Sequence, residues 1–370
     1  MTTDMERVAE ALRAFEAGEM VIVVDDDDRE NEGDLILAAV HASPEKLAFI
    51  VRHTSGIVCA PMTREDARRL RLEPMVADND APHRTAFTVS VDYRHATSTG
   101  ISAEDRCNTV RALANPNSGP ADFMRPGHVF PLIAKDGGVL MRSGHTEAAV
   151  DLCRLAGLAP VGVICELVND DGTVKRGPQV EAFAREHGLK TVSVADLIAW
   201  RQRQDRLVER VEDHMIDTPF GPARAISYRT PFDPMHHLAI VWGDIRDGRD
   251  ILVRLHLESV VDDVIGAARP LDRLMRRLSE TGRGVLVYLR EGSVGVARSA
   301  HRPREELAPD DEAHGSAKRR EDEWREIGLG AQILKDLGVS SIRLLSSRER
   351  HYVGLQGFGI EIARTEILDG

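Results

Sequence analysis

Six short apolar runs constrain this chain most: "MVIVV" (20–24), "DLILAAV" (34–40), "PVGVICELV" (160–168), "ILVRLHLESVV" (251–261), "GVLVYLR" (284–290) and "SIRLLSS" (341–347). Short apolar runs rich in branched residues read as buried strands. Between them lie helical patterns. Met5, Val8, Leu12 and Phe15 recur at helical spacing. Ser43-Pro44 can cap and open "EKLAFIVRHT", and Ser102 with Asp105 resembles a capping box before "AEDRCNTVRALA". "TAFTVSVDY" (85–93) alternates and is expected to be a half-buried strand. "GVLMRSGHTEAAVDLCRLAGL" is expected to run strand, tight turn, then helix from near Thr146, and "VEAFAREHGL", "LDRLMRRLSETG" and "GAQILKDLG" to be helices. Strands and helices so mixed predict an α+β fold of layered α/β type, a mixed sheet flanked by helices.

A chain of 370 residues has room for two domains. The charged stretch "WRQRQDRLVERVEDHM" (200–215) suits a helix leading out of the first, and Pro219, Pro222, Pro231 and Pro234 punctuate the entry to the next. The expected domains are therefore 1–205 and 206–370, with the polar, highly charged segment 299–323 as a mobile loop. A net charge of −12 argues against a general nucleic-acid binder. No apolar stretch approaches the ~20 residues of a membrane helix, and the N-terminus shows no basic-then-apolar leader. Cys59, Cys107, Cys153 and Cys165 lack CxxC spacing, which suits reduced thiols in a cytoplasmic protein.

Chemistry concentrates in the first half. "VVDDDDRENEGD" (23–34) sets seven carboxylates, Asp25 to Asp34, directly behind an apolar run. An EF-hand counted from Asp28 fails because its twelfth position is Ala39, and no GxxxxGK[ST] phosphate loop occurs. What survives is an acidic turn in which carboxylates could hold a hard divalent cation while Arg29 grips an anion. "RSGHTEAA" (142–149) puts an arginine, a glycine turn, His145 and Thr146 at a helix start, where free N–H groups and the helix dipole favour phosphate; His145 could instead ligate a metal. His128 falls in "RPGHVFPL", read as a Pro/Gly turn, and Glu166 sits in an apolar strand, where a carboxylate needs a partner, a function or a route to water.

Taken in order, "DDDDRENEGDLILAA", "TAFTVSVD", "TSTGISAEDR", "FMRPGHVFPL", "RSGHTEAAVDL" and "CELVNDDGT" closely resemble the 3,4-dihydroxy-2-butanone 4-phosphate synthase family over about residues 5–200. The resemblance implies conversion of ribulose 5-phosphate to 3,4-dihydroxy-2-butanone 4-phosphate and formate in riboflavin biosynthesis, by a homodimer using magnesium or manganese. It implies Glu30 and His145 as metal ligands, and Arg29, Glu30, Asp34, Arg142, Ser143, Gly144, His145, Thr146 and Glu166 as substrate-binding residues. His128 and Glu166 match the family's catalytic positions. Cys59 also matches a family cysteine near the site, although a small buried apolar role explains it equally well. A metal chelated by substrate oxygens would acidify the C–H bond next to the carbonyl, and carboxylates and an imidazole would move protons among neighbouring carbons. Which acidic-turn carboxylate acts as base stays open.

Residues from about 215 to 365 resemble GTP cyclohydrolase II more weakly, through "GDIRDGRDILVRLHLES", "VYLREG", "IGLGAQILKDLGVSSIRLLS" and "VGLQGFGIEI". That family holds zinc on three cysteines, and the matching positions here are Ser259, Pro270 and Asp272. Ser293 stands where its arginine belongs, and Ser346 to His351 replace its "TNNPxK". The expectation is a retained scaffold with no zinc and no GTP turnover; the alternatives are a bifunctional enzyme and a non-catalytic binding or assembly module.

Overall fold

The computed structural model describes residues 4–25, 29–81, 83–230, 235–265, 270–290, 328–346, 355 and 358–367. It divides into two compact units, Met1–Arg201 and a second that begins at Gln202. In the first unit the strands are β1 (Val21–Val24), β2 (Gly33–Ala38), β3 (Cys59–Met62), β4 (Val91–Tyr93), β5 (Phe123–Ile133), β6 (Gly162–Glu166) and β7 (Lys190–Ser193). They form one mixed sheet in the order β4-β5-β3-β6-β2-β1-β7. Its helices are α1 (Asp4–Glu16), α2 (Pro44–His53), α3 (Arg64–Arg69), α4 (Ala103–Ala114), α5 (His145–Leu155), α6 (Pro178–His187) and α7 (Val194–Gln204).

Successive side chains of a strand face opposite ways, and the apolar runs use both faces. Ile22, Leu35, Leu37, Val163 and Cys165 join Leu47 and Ile50 of α2, Val110 and Leu113 of α4 and Phe183 of α6 in one core. Val21, Val23, Ile36, Ala38 and Ile164 face the other way, into a core with Val8 and Phe15 of α1, Ala148 and Leu152 of α5 and Leu197 of α7. The unit is thus three layers, helices over both faces of a sheet, in agreement with the expected class. An isolated helix as short as α1 is marginal in water; full burial of Val8 and Phe15, about 1.5–3 kcal/mol each, holds it in place. Ser43 and Ser102 cap α2 and α4 by accepting from Lys46 N and Asp105 N at 3.3 and 3.0 Å.

Three local readings in the first unit need correction. The run at 138–141 is a short 3₁₀ turn, Gly138–Leu140, and not a strand, because Gly137 and Gly138 adopt φ of 94° and 64°; α5 then starts at His145, one residue earlier than expected. Only Val91–Tyr93 of "TAFTVSVDY" is strand, with Phe87 and Thr88 making isolated bridges. His128 lies within β5, not in a turn.

The second unit carries β8 (Glu209–Thr218), β9 (Gly221–Arg229), β10 (His236–Trp242), β11 (Ile251–Leu257), β12 (Gly284–Leu289), β13 (Ser341–Ser346) and β14 (Glu361–Ile367), in the order β14-β13-β11-β12-β10-β9-β8. Leu274 and Leu278 of α8 (Pro270–Glu280) pack with Trp242, Leu252 and Leu286 on one face. Ala331, Ile333 and Leu334 of α9 (Leu329–Asp336) pack with Val253, Leu255, Val285 and Val287 on the other. The stretch 200–215 is not one helix: α7 ends at Gln204 and β8 follows. As an edge strand exposed over most of its length, β8 carries charge on both faces, so its sequence lacks the usual alternation. The segment 299–323, Ser293 and residues 347–351 lie outside the described residues. No helix among the described residues is long and apolar enough to cross a membrane.

Candidate active site

The acidic segment is the hairpin connection between β1 and β2, where Val24 pairs with Gly33. Asp25 organises it. One carboxylate oxygen accepts from Glu32 N at 2.9 Å, and the other from Glu30 N at 3.1 Å and Arg29 Nη1 at 3.0 Å. Asn31 supplies the left-handed residue such a turn needs, at φ 54°. Asp25 thereby shapes the turn. Arg29 Nη1 also donates to Glu30 Oε2 at 2.6 Å.

Glu30 meets His145, the first residue of α5, with Oε2 3.5 Å from Nδ1; Asp34 Oδ1 lies 3.8 Å from the same nitrogen. Carboxylates of Asp25 and Glu30 and a nitrogen of His145 fall within 4.8 Å of one another, the one such grouping of potential metal ligands among the described residues. Burial drives the Asp34 carboxyl up to about 8. Burial also opposes charge on His145, but Asp34, Glu30 and Asp25 outweigh it and hold the imidazole near about 9. For Glu30, burial is overcome by the bond to His145 and by Arg29, which bring it down to about 2. Asp34 Oδ1 and His145 Nε2 are buried without a hydrogen-bond partner. Each such atom costs about 1–3 kcal/mol, so the group is built for something that satisfies them. Carboxylate oxygens beside an imidazole nitrogen suit magnesium or manganese.

Gly144 is the cap of α5. A side chain there would bring its Cβ to 2.5 Å from Arg142 Nη1 and 2.9 Å from Arg29 Nη2. Two guanidinium groups therefore converge on this helix start, so close that a side chain at position 144 would have to displace them. Arg142 is itself anchored, Nη1 on Glu147 Oε2 at 2.7 Å and Nη2 on His83 O and Thr85 Oγ1 at 3.1 and 3.2 Å. Ser143 and Thr146 are buried at the same helix start.

Strand register places the remaining residues. Asp34 pairs with Glu166 across β2 and β6, and Cys59 of β3 pairs with both Ile164 of β6 and Phe130 of β5. Since β3 runs parallel to β5 and antiparallel to β6, Glu166 and His128 each lie two residues from the Cys59 level toward the same end. Asp34, Glu166 and His128 thus form one row across the sheet, on the face that α5 covers. Neighbouring strands are about 4.8 Å apart, so His128 stands roughly 10 Å from Glu166. Glu166, at the end of its strand and half-buried, accepts from Ser55 Oγ at 2.7 Å. Cys59 and Cys165 are buried thiols pushed up by burial, with no sign of thiolate chemistry.

Residues 9–200 match the family model for 3,4-dihydroxy-2-butanone 4-phosphate synthase, and residues 209–366 that for GTP cyclohydrolase II. The chain belongs to the 3,4-dihydroxy-2-butanone 4-phosphate synthase family. Its synthase region is that of a riboflavin-biosynthesis enzyme, fused to a cyclohydrolase II-like region. It is similar to two Arabidopsis thaliana chloroplastic proteins. One is the monofunctional riboflavin biosynthesis protein RIBA 2 (48% identity, covering 98% of this chain and 77% of that one). The other is the bifunctional RIBA 1 (47%, covering 98% and 68%). Among solved structures, RibBX of A. baumannii, a two-domain 3,4-dihydroxy-2-butanone 4-phosphate synthase, matches with TM-score 0.76 at 37% identity, covering 98% of this chain and 99% of that one. A synthase structure in complex with two magnesium ions matches with TM-score 0.52 at 48% identity, covering 53% of this chain and 97% of that one.

The proposed synthase residues thus fall into a cluster (Arg29, Glu30, Asp34, Arg142 to Thr146) and a row that shares Asp34 with it. Sequence reasoning missed Asp25, Ser55, Asp92 and Glu147. Asp25 and Glu147 had a local signal, a carboxylate within a few residues of the N–H groups it caps or of the arginine it anchors. Ser55 and Asp92 had none, because their partners are 111 and 36 positions away.

Proposed function

We propose that the first unit converts ribulose 5-phosphate to 3,4-dihydroxy-2-butanone 4-phosphate and formate. The observation that carries this is the helix start at Gly144, where the guanidinium groups of Arg29 and Arg142 converge beside Glu30, Asp34 and His145. Phosphate binds at the α5 N–H groups and the Arg29 guanidinium. Glu30 and His145 would hold magnesium or manganese. Such a metal, when bound, polarises the carbonyl and hydroxyl oxygens of the sugar, which makes the neighbouring C–H acidic. Glu166 and His128, on opposite sides of the space spanned by β3, move protons along the carbon chain. The reaction balances without a second substrate, because water lost in dehydration returns as formate leaves. Purified chain given ribulose 5-phosphate and magnesium should release formate stoichiometrically, and no release at saturating metal would refute the assignment. A second copy of the chain is the proposed partner: half-exposed Ile57 and Ile101 border loops that Arg106 ties together through Gly56 O and Ile101 O.

Gly144→Ala tests the phosphate subsite. Its methyl group displaces both guanidinium groups, so KM for ribulose 5-phosphate should rise tenfold or more, on the order of 1.4 kcal/mol, with a smaller change in kcat. An unchanged KM would place the phosphate elsewhere.

We further propose that the second unit lacks GTP cyclohydrolase II activity. Pro270 opens α8 and Asp272 lies in its first turn, where a carboxylate complements the helix dipole. Ser259 donates its N–H to Asp263 and its hydroxyl to Asp262, each at 2.9 Å. Asp263 also accepts from His256 Nε2 at 3.0 Å and from the Tyr288 hydroxyl at 2.9 Å. Carboxylate and imidazole are thereby satisfied by one another, not arranged around a cation. The chain purified without chelators should carry no stoichiometric zinc and release neither formate nor pyrophosphate from GTP. Zinc at one equivalent together with both products would show a working second site.

A further inference from the structure

His128 is paired with a carboxylate on the neighbouring strand. Asp92, on β4, is buried, and its two oxygens take the two donors of one residue: Oδ1 accepts from His128 N and Oδ2 lies on His128 Nδ1, both at 2.7 Å. A carboxylate only accepts, so Nδ1 carries the hydrogen and Nε2 keeps its lone pair. The His128 side chain is 42% exposed whereas that of Asp92 is 6% exposed, so the ring projects from a fixed base.

The surroundings are fitted to this pair at two glycines. Gly127 lets β5 close on β4: a Cβ there would come within 2.0 Å of Val91 C, and its N–H donates to Ser90 Oγ at 3.1 Å. Gly100, at φ 91°, lies against the pair itself, where a Cβ would meet Asp92 Oδ2 at 2.1 Å and His128 Nδ1 at 2.6 Å. Asp105 pins that loop by accepting from Ser98 N, Ser98 Oγ and Gly100 N at 2.9, 2.8 and 3.0 Å. Three separate segments thus converge on one imidazole and its partner.

We propose that Asp92 is a positioning residue for the synthase reaction, fixing His128 as the Nδ1–H tautomer so that Nε2 faces substrate as the proton-transfer atom, with Gly100 and Asp105 holding the pair together. The inference rests on the proton-transfer reading of His128, and its test separates the two. The full chain is labelled with 15N-histidine and the His128 signals are identified by their loss in His128→Gln. At a pH where the ring is neutral, Nδ1 should bear the hydrogen. In Asp92→Asn the amide can donate to Nδ1, so the hydrogen moves to Nε2. Reversing a catalytic histidine in this way should lower kcat by on the order of 10²–10⁴ while KM stays within about threefold. Gly100→Ala, which wedges the pair apart, should lower kcat in the same direction. An Nε2–H ring in the parent overturns the proposal whatever the activity. So does an Asp92→Asn chain with the reversed tautomer and turnover within threefold of the parent, or one that loses turnover with the tautomer unchanged. If the parent releases no formate, the functional reading fails while the tautomer still reports on the pair.

Discussion

Glu30→Ala and His145→Ala chains should release formate from ribulose 5-phosphate slower than the parent by a factor on the order of 10³ or more, about 4 kcal/mol of transition-state stabilisation. The reason is structural as well as chemical. Glu30 Oε2 is the meeting point of Arg29 Nη1 and His145 Nδ1. Removing it deprives a cation of an oxygen ligand and leaves an arginine and an imidazole facing each other. Removing His145 leaves Asp34, already without a hydrogen-bond partner for Oδ1, buried beside Glu30. Neither change touches the two cores, so both variants should keep the fold, with a thermal unfolding midpoint lowered by the buried groups left unpaired. The parent stripped with chelator should lose formate release and regain it on adding magnesium, whereas the variants should not recover. Near-parent rates in either variant at saturating magnesium would remove both residues from the metal site.

The second large effect belongs to the row. His128→Ala and Glu166→Gln should each lower kcat by on the order of 10²–10⁴ with KM changed less than about threefold, since a proton in flight is held only in the transition state. Glu166→Gln is the cleaner variant, because glutamine can still accept from Ser55 Oγ, which bonds Glu166 at 2.7 Å. Normal kcat with a strongly raised KM would make these binding groups instead.

What could be read from the sequence was whatever is local. The acidic turn and the "SGHTEA" helix start each announce themselves within about ten residues, and their meeting through Glu30 and His145 follows from the family resemblance. The layered α+β class was legible because short apolar runs rich in branched residues alternate with segments of helical spacing. Three things were hidden for physical reasons. His128 looked like a turn residue because Pro126 and Gly127 normally punctuate, yet here Gly127 serves close strand packing. β8 looked helical because an edge strand need not bury one face. Asp92 could not be assigned to His128, since only the β4–β5 pairing brings them together.

The row of Asp34, Glu166 and His128 also bears on how the chain acquires activity. Its three members are aligned only when β2, β6, β3 and β5 are in register, and a slip of one residue turns every side chain of a strand to the opposite face. The same alternation decides which residues enter each hydrophobic core. On the proposed assignment, catalytic geometry is therefore phase-locked to the packing of the whole sheet, and a refolding chain should recover no turnover from a partly paired state, however much secondary structure it has regained. Pairings between such distant positions form slowly, so return of formate release is a strict clock for the completion of the sheet.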